Sequence, residues 1–155
     1  MDPGYNRIQD RVASGWDLIL FVMHKTQISK LETEAKAAAL NAYAPYSKFR
    51  VGASVATASG KIFTGCNIEN ASFGLTICAE RVALSAAVLA GERKIIAICV
   101  ACIDAPPATA IENRSPCGAC RQWIQELAPE AKIIIAGVSK AFKIKDFLPR
   151  AFKLS

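Results

Sequence analysis

Three cysteines and one carboxylate constrain this chain more than anything else in it. Cys78-Ala79-Glu80 is answered downstream by Pro116-Cys117-Gly118-Ala119-Cys120. Two cysteines three apart can hold one metal ion, and a third thiolate completes a tripod. The fourth tetrahedral position is then left for water, as a catalytic zinc requires. Glu80 is a poor further soft ligand, but it is well placed to move protons beside the open position. The Cys-x-x-Cys alone is a moderate signal; the preceding Pro116 and the upstream Cys-x-Glu make it strong.

A chain of 155 residues is sized for one domain with a real core. Its 52% apolar content excludes a mainly disordered protein. The net charge of +6 is spread along the chain rather than gathered in runs, so a basic solvated surface is expected instead of a nucleic-acid face. Residues 1–28 read as an N-terminal extension outside a catalytic domain over 29–155. Within the extension, Leu18 to Met23 is an apolar burst of six. A membrane span needs about 20 residues, and no signal-type cleavage site follows the burst. Met23 could serve as an alternative start of translation.

Periodicity and breakers predict a helix from Ser29 to Ala42, with Ser29 and Glu32 at capping-box spacing. A strand over Arg50 to Thr57 turns at Ser59-Gly60 into a second over Lys61 to Asn67. An alanine-rich helix runs from Cys78 to Leu89 and a buried strand from Lys94 to Ile103. After a loop come a helix from Cys117 to Leu127, a strand from Ala131 to Ala136 and a short strand from Phe142 to Asp146. This order fits an α/β fold: one mixed five-stranded sheet with helices on its faces.

Cys78, Cys117 and Cys120 then fall at or near helix starts, where unpaired backbone N–H groups stabilise thiolates. Three thiolates carry more charge than zinc and weaken it as an acid toward water, so an adjacent cation is needed. Arg81 and Arg121 each follow a motif directly, and at least one is expected to bond a ligand sulfur. Cys66, Cys99 and Cys102 lie in apolar surroundings and read as reduced, buried thiols, which points to a cytoplasmic setting. Cys99 and Cys102 form a second Cys-x-x-Cys, but on a predicted strand. The stretch Asn67, Glu69, Asn70 with Phe73 is either a polar loop or a hydrogen-bonding shelf with an apolar wall. His24, the only histidine, lies in the N-terminal extension and reads as a surface or boundary residue, so a histidine-based nucleophile system is not expected, and no phosphate loop or dinucleotide fingerprint is present.

Cys-x-Glu followed by Pro-Cys-x-x-Cys is a pattern of zinc nucleobase deaminases. Ala44 to Ala53, Gly65 to Arg81 and Ser115 to Gln122 together resemble the short, homotetrameric form of cytidine deaminase, over about residues 30 to 152. The resemblance implies a three-layer α/β/α fold, one zinc per subunit and free cytidine and 2′-deoxycytidine as substrates. It implies ribose-holding roles for Asn67 and Glu69, packing of Phe49 on the pyrimidine, backbone contacts from Ala79 and thiolate neutralisation by Arg81. It further implies active sites shared across a homotetramer, with Phe73 and Phe152 as aromatic contributions. An acidic sugar-binding residue disfavours phosphorylated substrates by repulsion. No nucleic-acid or membrane partner is expected. Two rivals stay open: a deaminase of another aminated substrate, and a non-catalytic zinc domain, which would need a fourth protein ligand.

Overall fold

The computed structural model describes residues 25–154. The Leu18 to Met23 burst, the alternative start and His24 lie outside them. Helix α1 spans Lys25–Ala39, so Ser29 sits within it and cannot cap it, because a cap residue has non-helical backbone. Glu32, the other half of the expected capping box, instead pairs with Lys36 at 3.8 Å and accepts from the Gly137 amide at 3.4 Å. The helix ends at Ala39 rather than Ala42. Amides of Leu40, Asn41 and Ala42 bond three residues back, tightening the final turn.

Strand β1 (Val51–Thr57) turns at Gly60, whose φ is +87°, into β2 (Ile62–Cys66). Helix α2 (Ala79–Leu89) ends near Gly91 at φ +81°. Then follow β3 (Ile95–Cys102), α3 (Gly118–Leu127), β4 (Lys132–Ile135), β5 (Ala141–Phe142) and α4 (Ile144–Phe147). The last two replace the single strand expected over Phe142 to Asp146. The Asp146 carboxylate accepts from the Lys143 amide at 2.8 Å and starts a helical turn there. The alternation of Phe142 and Ile144 with lysines had mimicked a strand.

The sheet order is β2-β1-β3-β4-β5, with only the β3–β4 pair parallel. Helices cover both faces, giving a three-layer α/β/α fold. Close approach explains the small residues. A Cβ on Gly52 would stand 1.9 Å from the Ala35 carbonyl oxygen of α1. Two residues along, Ser54 Oγ donates to the Leu31 carbonyl at 2.8 Å on the same face. On the other face, a Cβ on Gly65 would stand 2.5 Å from the Ala83 amide of α2. Ala79, Ala83 and Ala87 are fully buried there. Their small side chains let α2 lie close against the sheet. Ala53, Val55, Leu84, Ile98, Ile124 and Ile133 share that core. Full burial of each large aliphatic side chain contributes about 1.5–3 kcal/mol.

The topology itself places the site. β2 and β3 are both antiparallel to β1, which lies between them, so they run parallel to each other. Their C-terminal ends and the N-terminal end of β1 therefore meet at one edge of the sheet. Val51 pairs with Cys102 there, and Gly52 with Cys66. Both α2 and α3 begin beyond that edge.

Candidate active site

Cys78 is the N-cap residue of α2 and Cys117 that of α3; Cys120 lies in the first turn of α3. Their three Sγ atoms lie within 4.8 Å of one another, with Cys78 and Cys117 at 3.6 Å. Tetrahedral zinc with bonds of about 2.3 Å requires sulfurs roughly 3.8 Å apart, so the donor set fits a soft-ligand ion. Among the described residues no fourth Cys, His, Asp or Glu joins the group. Cys78 is held down to about 5, first by hydrogen bonding with the Cys120 thiol and then by Arg81. The same bond with Cys78, together with burial, pushes Cys120 up.

Arg81 Nη2 donates to the Thr76 carbonyl at 2.9 Å and reaches Cys78 Sγ at 3.9 Å. Arg121, the other expected neutraliser, sends its donors elsewhere: Nε to Pro116 O at 2.7 Å, Nη1 to Phe147 O at 3.2 Å and Nη2 to Ser115 Oγ at 3.2 Å. It ties the loop before α3 to α4 and stacks over the Phe147 ring.

Glu80 is 3% exposed. Burial pushes its carboxyl up to about 7, and the negative charge of Cys78 adds to the rise. A carboxyl poised there can both accept and return a proton near neutral pH. Glu80, Ala79, Cys78 and Cys117 line one side of a cavity of about 250 Å³; Phe49, Asn67 and Glu69 also line it. The structure thus gathers these sequence-predicted residues in one place.

Residues 67–69 are extended between two neighbours. The Tyr43 amide donates to Asn67 O and the Glu69 amide to Tyr43 O, while Ile68 pairs with Ile77. That geometry turns Asn67 and Glu69 to the same side. Asn67 Oδ1 accepts from the Val51 amide at 2.8 Å and Nδ2 donates to Phe49 O at 3.0 Å, pinning the start of β1. Glu69 accepts from the amides of Tyr46 and Ser47 and from the Ser47 hydroxyl. These bonds, the hydroxyl's foremost, hold its carboxyl below the usual range.

Phe73 and Phe152 do not line this cavity. Phe73 is 75% exposed, with its ring edge-on to Tyr46 at 6.0 Å. Phe152 is 70% exposed, and its carbonyl accepts from Gln122 Nε2 at 2.9 Å. Cavity-lining residues the sequence reading passed over include Ser47, Thr76, Asn113, Arg114 and Ser115. Ser47 lies within the Ala44 to Ala53 stretch, directly after Pro45-Tyr46, and nothing in that spacing signals a partner at Glu69. The second Cys-x-x-Cys is resolved by the strand: residues three apart point to opposite faces. Cys99 pairs in register with Ser54, under α1, while Cys102 lines the cavity. A larger groove of about 620 Å³, walled by Val88, Leu89 and Trp123, holds none of the metal ligands. The smaller cavity is therefore where chemistry is concentrated.

Residues 25–136 match the family model described as the cytidine and deoxycytidylate deaminase zinc-binding region. The chain belongs to this family. It is 42% identical over 123 residues to a cytidine deaminase of Halalkalibacterium halodurans, covering 77% of this chain and 89% of that one. The crystal structure of a cytidine deaminase from Burkholderia pseudomallei matches with a TM-score of 0.70 and 44% identity, over 80% of this chain and 98% of the other. That of the Mycobacterium tuberculosis cytidine deaminase gives 0.68 and 34%, over 81% and 97%. Family membership and the Cys78–Cys117–Cys120 cluster together assign the cavity zinc-binding machinery of the cytidine deaminase type. Among the described residues no helix is long and apolar enough to cross a membrane.

Proposed function

We propose that the protein hydrolyses cytidine and 2′-deoxycytidine to uridine and 2′-deoxyuridine with release of ammonia, as a step of pyrimidine salvage in the cytoplasm. The observation that carries this reading is the sharing of one cavity by the three-thiolate cluster with Glu80 and by Asn67 with Glu69. One end suits an amine-bearing ring, the other a polar sugar.

Cys78, Cys117 and Cys120 would hold one Zn²⁺ per subunit, with Arg81 offsetting their charge. When bound, zinc supplies Lewis acidity that makes water a competent nucleophile at neutral pH. Glu80 accepts the proton of the attacking water and delivers protons to the ring nitrogen and to the departing amine. A C–O bond forms at the ring carbon bearing the amine, the C–N bond breaks, and the electron pair leaves with ammonia. Asn67 and Glu69 hold ribose hydroxyls, Phe49 packs on the ring, and backbone groups of Ala79 orient it. The catalytic domain is 29–155, with 1–28 as an extension.

The exposed rings of Phe73 and Phe152 support a homotetramer in which neighbours complete each site. The Glu69 carboxylate, held ionised, supports uncharged nucleosides over phosphorylated ones. An ultraviolet assay tests substrate class with cytidine, 2′-deoxycytidine, deoxycytidine monophosphate, blasticidin S and a single-stranded oligonucleotide. Turnover of the first two alone is expected. Faster turnover of the antibiotic or the oligonucleotide than of cytidine would overturn the assignment.

A further inference from the structure

The Ser47 hydroxyl is the meeting point of two walls of the cavity. Its Oγ donates to Glu69 Oε1 and accepts from the Phe49 amide at 3.0 Å. A hydroxyl has one proton to give and lone pairs to receive, so both bonds form at once. Glu69 Oε2 takes the amides of Tyr46 at 2.9 Å and Ser47 at 3.2 Å. Between Ser47 and Phe49 the chain passes through Lys48 at φ +55°, a left-handed conformation uncommon in a non-glycine residue. Such a turn persists where surrounding bonds over-determine it. Bonds from segment 46–49 to a carboxylate 22 residues away in sequence do so here.

We infer that Ser47 is a positioning residue: it fixes the Glu69 carboxylate and the Phe49 backbone relative to each other and thereby sets affinity for the nucleoside's sugar. This rests on the cytidine deaminase reading. Backbone amides alone hold only Oε2; the hydroxyl fixes the rotation of the carboxylate and leaves Oε1 with acceptor capacity aimed from one place. Ser47 is exposed and outside the core, so its hydroxyl can be removed without opening a cavity.

Steady-state kinetics of the full zinc-loaded chain test this with Ser47→Ala and Ser47→Thr. Ser47→Ala is expected to raise KM for cytidine about tenfold, as for a lost hydrogen bond to a charged group, with kcat changed less than about twofold on that account. Ser47→Thr keeps a hydroxyl and restores most of the affinity. With 2′,3′-dideoxycytidine, which offers Glu69 no secondary hydroxyl, the Ser47→Ala penalty is expected to vanish; it should vanish also in a Glu69→Ala background, where no acceptor is left for the Ser47 hydroxyl. An unchanged KM, or an equal penalty in both backgrounds, overturns the proposal. Exchange of the Phe49 amide, followed by NMR, gives a readout free of turnover: it accelerates in Ser47→Ala and not in Ser47→Thr. If the unaltered protein turns over no cytidine, the functional reading falls. Amide exchange then decides whether Ser47 positions this wall, unchanged exchange being the result against it.

Discussion

The guanidinium of Arg81 touches a ligand sulfur, and that of Arg121 does not. Arg81 lies three residues after the N-cap Cys78, so both side chains share one face of the first turn of α2. Arg121 instead runs back to Ser115 and Pro116 and across to Phe147. Arg81→Ala is expected to weaken zinc retention about 10- to 100-fold, the usual cost of losing a group that supports a ligand. Competition with a chelator measures it. Arg121→Ala should keep its zinc and lose thermal stability; equal zinc loss in both would contradict this division. Position after a motif suggested both arginines; the family resemblance singled out Arg81, and the path of the loop and of α4 gives the physical reason Arg121 is drawn elsewhere. Position alone did not reveal Ser47. Its partners depend on the turn at Lys48 and on the extended path of 67–69, neither of which has a periodic signature. The ligands and Glu80 were legible because their chemistry sits in short, ordered motifs.

At the scale of elements, small residues act as spacers. Gly52→Ala places a methyl against the Ala35 carbonyl of α1, and backbone cannot swing aside as a side chain could. A loss of about 3 kcal/mol is expected by urea denaturation. Gly118→Ala, with nothing within 4 Å of its added Cβ, should stay within about 0.5 kcal/mol. Comparable losses in the two would refute the close-packing account. The start of β1 is tied to the loop after β3 by Arg50 and Asp104: Nη2 to Oδ1 at 2.7 Å, Nε to Oδ2 at 3.0 Å and the Arg50 amide to Oδ2 at 2.7 Å. The Arg50 hydrogen bonds hold Asp104 down to about 2, against about 3.9 in an unfolded chain. A depressed carboxyl stabilises the fold above the unfolded value and loses that contribution as pH falls through the folded one. The protein should therefore be more stable than Asp104→Asn at pH 7, the gap closing between about pH 4 and 2. A gap independent of pH would contradict it. Regular helices and strands were legible from periodicity to within a few residues. Ser29 and the Phe142–Asp146 segment were misread because a capping pattern and an alternation each fit more than one local structure.

Across the whole molecule, strand order turns separate motifs into one site. With β2 and β3 both antiparallel to β1, the chain delivers residues 47–51, 67–80 and 113–120 to the same sheet edge. The α/β/α class was readable from the order of elements; this shared edge needed the pairing. Phe73 and Phe152 are exposed and do not line the cavity. In the proposed zinc-dependent cytidine deamination, Glu80 moves the protons. The direct measurement pairs zinc content with cytidine turnover in the unaltered protein and in Glu80→Gln. Both should bind one zinc per chain and fold alike, with turnover lower in the variant by about 10²-fold or more. Near-full turnover in folded, zinc-loaded Glu80→Gln would contradict the account, as would one zinc per chain and no turnover in the unaltered protein.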